Sequence, residues 1–162
     1  EYVYDGALYA CQSDDAKQRR SKRAVWGMAA ILIVAVIAGG CIPAPGMQNC
    51  FYVLLPYLGE FLGAASVIWA LAKLGTDWRE GREYNYKKSV AVLPVRTAVT
   101  AVFSLLGIVC ELIFFFVNDH AGQTFFALLY VLLKLTALLS ALVLRAEIMQ
   151  AEWDKLPKKD NS

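Results

Sequence analysis

The sequence predicts an all-α integral membrane protein built as a four-helix bundle. Three observations predict it. Of the 162 residues 58% are hydrophobic, and the mean hydropathy is +0.46, which is apolar for a soluble domain of this size. Apolar stretches long enough to cross about 30 Å of hydrocarbon recur four times. Every Lys and Arg except Lys134 falls on one side of these stretches, at their ends or beyond them, as expected when one membrane face collects the basic residues.

Residues 1–23 are polar and form an N-terminal tail, read either as a short amphipathic piece on the membrane surface or as a loose tail. The first span covers about 24–42, rich in Ala, Val and Ile. Its basic lead-in and the run Ala38-Gly39-Gly40-Cys41 resemble a bacterial lipoprotein processing site. Ala38 is small for that position, so an uncleaved helix is the preferred reading. A short loop with Pro43, Pro45 and Gly46 leads to the second span, 51–74, which contains Pro56 one turn before Glu60. Proline removes one backbone hydrogen bond there and predicts a kink.

The inner loop carries Trp78, Tyr84 and Tyr86, residue types that suit the headgroup level. The third span covers 93–117, with Pro94 in its first turn, where the missing N–H costs nothing. The fourth span covers 124–144, and 145–162 is a charged tail. The positive-inside rule puts both termini in the cytoplasm, and a bacterial plasma membrane is the expected location. The basic clusters are interleaved with acids such as Asp77, Glu80 and Glu83, which argues against a nucleic-acid partner.

A weak internal repeat runs at an offset of 74. It places Phe51 on Phe125, Leu54 on Leu128, Leu58 on Leu132 and Ser66 on Ser140. The same offset places Glu60 on Lys134. The bundle is therefore also readable as a duplicated helical hairpin with a two-fold axis along the membrane normal, and the two charges would meet across that axis.

Glu60, Glu111 and Lys134 are the charges deep inside the spans, away from their basic ends. Each costs about 2.5–3.5 kcal/mol on insertion scales unless it is buried or paired. Counted from the loop ends of their helices they lie nine, six and ten residues deep. At about 1.5 Å per residue, all three reach the outer half of the bundle. Thr97, Thr100, Ser104, Gly107 and Glu111 recur at spacings of three and four, which makes one small and polar stripe on the third helix. The opposite side, with Phe103, Leu106 and Phe114, is assigned to lipid. Gly59 and Gly63 form a GxxxG step for close helix packing.

Cys41 and Cys50 bracket the outer loop and are candidates for a disulfide. No CxxC pair, HExxH motif, glycine-rich phosphate loop or nucleophile motif is present, and no metal or cofactor is expected. The composition therefore points to a non-enzymatic membrane protein that works as a homo-oligomer or as a subunit of a membrane assembly. Its partners would be the lipid bilayer and other proteins, with the Glu/Glu/Lys cluster fixing helix packing. The alternative is a small proton- or ion-coupled transporter or channel in which Glu60, Glu111 and Lys134 bind a small molecule or ion. The first reading is preferred because Lys134 offers the carboxylates an internal partner.

Overall fold

The computed structural model describes residues 8–11, 15–74, 81–82, 89–118, 124–151 and 153–155. In chain order these form β1 (Leu8–Cys11), α1 (Asp15–Cys41), α2 (Pro45–Asn49), α3 (Phe51–Leu74), β2 (Gly81–Arg82), α4 (Leu93–Val117), α5 (Thr124–Gln150) and β3 (Trp153–Lys155). The expected four long helices are α1, α3, α4 and α5. Each is long and apolar enough to cross a membrane. Asp77, Trp78, Glu80, Glu83, Tyr84 and Tyr86, between α3 and α4, lie outside the described residues.

α1 starts at Asp15, nine residues before the apolar stretch, because the helix continues through the basic segment. Lys17, Arg19, Arg20 and Arg23 are exposed on this extension. α3 runs without a break through Pro56, which is buried. α4 begins with Pro94 in its first turn.

The helices form a closed ring in the order α1, α3, α4, α5. α1 packs along α5, α3 along α4, and α4 along α5, while the contact between α1 and α3 is smaller. The α1–α5 and α3–α4 interfaces are of matched extent, as a two-fold repeat requires, but α1–α3 is much slighter than its counterpart α4–α5. The hairpin symmetry is therefore partial.

One face of each helix is buried, and the outward faces carry Val34, Leu62, Trp69, Val95, Phe116 and Leu139 exposed. A continuous apolar exterior of this kind suits lipid rather than water. Toward the basic end the interior is apolar, with Val25, Leu32, Leu71, Leu93 and Leu144 in one cluster. The buried charges lie in the opposite half.

A small antiparallel sheet in the order β2-β1-β3 sits at the basic end. Tyr9 is opposite both Gly81 and Lys155, and Cys11 is opposite Trp153. It ties the segments before α1, after α3 and after α5 together. Strands of two to four residues are too short to leave a periodic signal, so this sheet replaces the tail or surface helix that the polar N-terminal segment predicts. At the other end α2 packs on α3 and α4. Ala44, Pro45 and Gly46 are buried there, so the loop folds inward over the bundle.

Candidate functional site

α3 and α5 stand diagonally across the ring, yet they are joined through its centre. Lys134 Nζ on α5 forms an ion pair with Glu60 Oε2 on α3. Glu60 is fully buried and Lys134 is 2% exposed. Two long side chains are needed to reach across the diagonal, and α4 leaves room for them. Gly107 lies beside the Lys134 stem, where even a Cβ would be in ordinary contact at 3.6 Å from Cε.

The remaining Glu60 oxygen is also satisfied. Ser104 Oγ lies 2.6 Å from Glu60 Oε1 and 3.1 Å from its own helix at Thr100 O. A hydroxyl has one proton, and the shorter, charge-assisted contact takes it. Two aromatic rings flank the ammonium, Tyr57 at 4.6 Å and Tyr130 at 5.0 Å from Nζ to ring centroid. Such cation–π contacts contribute about 0.5–2 kcal/mol each when desolvated. The ion pair is thus closed by one hydroxyl and two rings.

Glu111 is held from the loop side. Its carboxylate Oε1 accepts the Gly46 N–H at 3.3 Å. A Cβ at position 46 would collide with Glu111 Oε2 and lie 3.1 Å from Phe114. Glycine at 46 is therefore a requirement of close approach rather than of turn geometry. Phe114 is buried under this loop, which corrects its assignment to lipid. Phe103 likewise packs on Gly59. Both follow from where α2 and α3 sit, which helix periodicity cannot supply. Tyr130 is fully buried, and its hydroxyl has no hydrogen-bond partner among the described residues.

The polar stripe faces the interior, but most of its polarity is turned back on its own helix. Thr97 Oγ1 donates to Leu93 O at 2.9 Å, and Thr100 Oγ1 to Arg96 O at 2.9 Å. Of its hydroxyls, only that of Ser104 bonds to another helix among the described residues. Thr97, Thr100, Ser104 and Gly107 therefore act mainly as a smooth, small surface against which α3 and α5 close. Gly63 meets Thr100 there, with a Cβ placed 2.6 Å from Oγ1 and 3.3 Å from the backbone Cα. Gly59 and Gly63 hold α3 close to α4 as the GxxxG spacing predicts.

Cys41 and Cys50 are both free thiols, so the disulfide suggested by their spacing is not formed. The loop between them is instead drawn inward by α2, and it is anchored by Gly46 on Glu111 rather than stapled at its ends. Among the described residues no group of three His, Cys, Asp or Glu side chains could hold a metal.

Sequence reasoning missed Tyr57, Tyr130 and Gly46. The tyrosines had a readable signal, since each stands one helical turn before a buried charge, on the same face. Gly46 had none, because its role depends on a loop conformation.

Fold and site together define an integral membrane four-helix bundle with an ion pair at its centre. Compared with protein-family models, curated proteins and solved structures, the chain matched none. Its function is therefore read from the site, since a four-helix architecture alone does not specify one.

Proposed function

We propose that this protein is a non-enzymatic membrane component, working as a homo-oligomer or as a subunit of a larger membrane assembly. Its basic end, with the termini, faces the cytoplasm of a bacterial cell. The observation that carries this reading is the closure of the Glu60–Lys134 pair by Ser104, Tyr57 and Tyr130 in the packed centre of the ring. A group that handles a substrate needs access to it, whereas a group that selects neighbouring helices needs to be sealed. The pair joins helices that are diagonal in the ring, so it specifies the arrangement of the whole bundle. The sheet at the basic end collects three chain segments into one surface and offers a platform for a partner.

Removing one member of a buried ion pair leaves an uncompensated charge, at a cost of about 3–5 kcal/mol. Replacing both with uncharged groups of similar size is often neutral. Glu60→Gln and Lys134→Met should therefore each reduce folded yield in detergent sharply, and the double variant should recover most of it. A double variant as poorly folded as either single one would overturn the packing role. Native mass spectrometry of the purified protein tests the assembly: more than one chain per particle, or a retained partner chain, is expected, and a lone monomer contradicts it.

The transporter reading has one observation in its favour, since Glu111 borders a cavity. It predicts that the double variant folds but loses pH-dependent flux in liposomes.

A further inference from the structure

α1 meets its two neighbours unequally. Its flank toward α5 is closed, with Ala35 buried and Ser21 Oγ donating to Glu147 Oε2 at 3.1 Å. Its flank toward α3 is half open, in keeping with the slighter contact between those two helices. That flank is identified by Gly40, where a Cβ would collide with the Tyr57 phenol of α3. From Gly40 back to the basic end the same stripe holds Ile33, Ala30, Trp26, Arg23 and Arg19, at helical spacings of three, four or seven. Ile33 and Trp26 are half-buried, whereas Ala30, Arg23 and Arg19 are exposed. Across the seam Ala65, Ile68 and Ala72 lie on the Tyr57 stripe of α3, and of these only Ile68 is partly covered.

Two features distinguish this seam from plain lipid-facing surface. The first is charge. Along α1, Lys17, Arg19, Arg20, Lys22 and Arg23 face only Asp15, so five cations less one anion leave a formal +4. Neither 16–59 nor 61–76 contains an Asp or Glu. The second is how the basic side chains are used. Arg96 and Arg145 direct their guanidinium groups at backbone carbonyls of neighbouring helices, and Lys73 lies over the Trp69 ring. Arg19 and Arg23 instead stand exposed one turn apart, with about 6 Å between Cβ atoms, in line with the apolar seam. Two guanidinium groups so spaced suit a phosphodiester, which each can meet with paired N–H donors. A soluble anion gains nothing from the apolar stripe that follows, whereas a lipid uses both parts.

We propose that the seam between α1 and α3 seats an anionic diacyl phospholipid. Its phosphate lies between Arg19 and Arg23, and an acyl chain runs along Trp26, Ala30 and Ile33. Trp26, near the start of the apolar stretch, marks the level at which headgroup gives way to chain. A zwitterionic lipid carries the same phosphate, but its own ammonium competes with the arginines for it. The inference depends neither on the packing role of Glu60 and Lys134 nor on the assembly state.

The test is native mass spectrometry of the full chain in a non-ionic detergent, titrated with dioleoyl phosphatidylglycerol or dioleoyl phosphatidylcholine. Saturable binding of the anionic lipid is expected, at least tenfold tighter than binding of the zwitterionic one. Arg19→Gln together with Arg23→Gln should abolish that preference. Lys158→Gln together with Lys159→Gln removes the same charge from the C-terminal tail and should leave the preference within twofold. Ala30→Trp should weaken the anionic lipid at least fivefold by filling the seam. Arg19, Arg23 and Ala30 are exposed, so their substitution leaves the bundle folded. Equal binding of the two lipids, a preference that survives in the arginine double variant, or unchanged affinity in the Ala30 variant would each overturn the proposal. So would an equal loss in the lysine control, which would reduce the effect to net charge. Displacement of the lipid by an equal concentration of glycerol phosphate would also overturn it, by marking a site for soluble anions.

Discussion

Gly46 and Gly107 show how differently two glycines can matter. Both lie beside a buried charge, Gly46 against Glu111 and Gly107 against Lys134. A methyl group at 107 would be 3.6–3.9 Å from the lysine stem, which is ordinary contact. At 46 it would meet the carboxyl group and the Phe114 ring together. Gly107→Ala should leave the thermal midpoint in detergent within a degree or two. Gly46→Ala should lower it, by the equivalent of about 1–3 kcal/mol, because the loop must lift off Glu111 and break the hydrogen bond from Gly46 N. Equal midpoints for the two variants would contradict the close approach at 46. The candidate charges at 60, 111 and 134 were legible in the sequence because ionisable residues in apolar spans are rare. The arrangement of their contacts was not, since Glu60 takes the lysine while Glu111 is met by the loop.

Among the elements, α3 and α4 pack closely through the two glycines of α3. Gly63 meets Thr100 and Gly59 meets Phe103, so the small residues of α3 face larger ones of α4. The GxxxG spacing announced a close contact but not the helix it faces. At position 63 an added methyl encounters both the threonine hydroxyl and its backbone, so only part of the conflict can relax. Gly63→Ala should destabilise the protein by about 1–3 kcal/mol, and Thr100→Ala added to it should restore part of that loss by removing Oγ1. Strict additivity of the two changes in a denaturation series would show that the residues do not touch. The basic ends of the helices are fastened differently. Arg96 donates to Ser66 O on α3 at 2.7 Å, and Arg145 donates to Pro94 O on α4 at 3.1 Å. These arginines, counted in the sequence only as a topology signal, also bridge neighbouring helices.

For the whole molecule, the offset of 74 residues gains a physical meaning. Two residues at equivalent repeat positions touch only if they lie near the symmetry axis, and Glu60 and Lys134 form an ion pair at the centre of the ring. Exchanging them is therefore a test of the bundle as a unit. Glu60→Lys with Lys134→Glu should fold to a yield close to the parent, whereas either reversal alone should not accumulate. Ser104 permits the exchange, because its hydroxyl can accept from an ammonium as readily as it donates to a carboxylate. Failure of the exchanged protein to fold would mean that the surroundings of each charge, the tyrosine rings above all, are too asymmetric for the repeat to matter.

The sequence by itself determined that four helices span a membrane, which ends carry the basic residues, and which three charges are buried. Hydropathy, helical period and charge position are local properties, and the bilayer makes each of them decisive by penalising exposed backbone and unpaired charge. Only the tertiary structure decided that α3 and α5 are diagonal, that Lys134 pairs with Glu60, that the loop between α1 and α3 closes on Glu111, and that β1 joins two distant segments in a sheet. Those outcomes depend on how helices of similar composition choose neighbours and on loop conformations a few residues long. Cys41 and Cys50 illustrate the limit, since their spacing permits a bond that the fold of the intervening loop does not use.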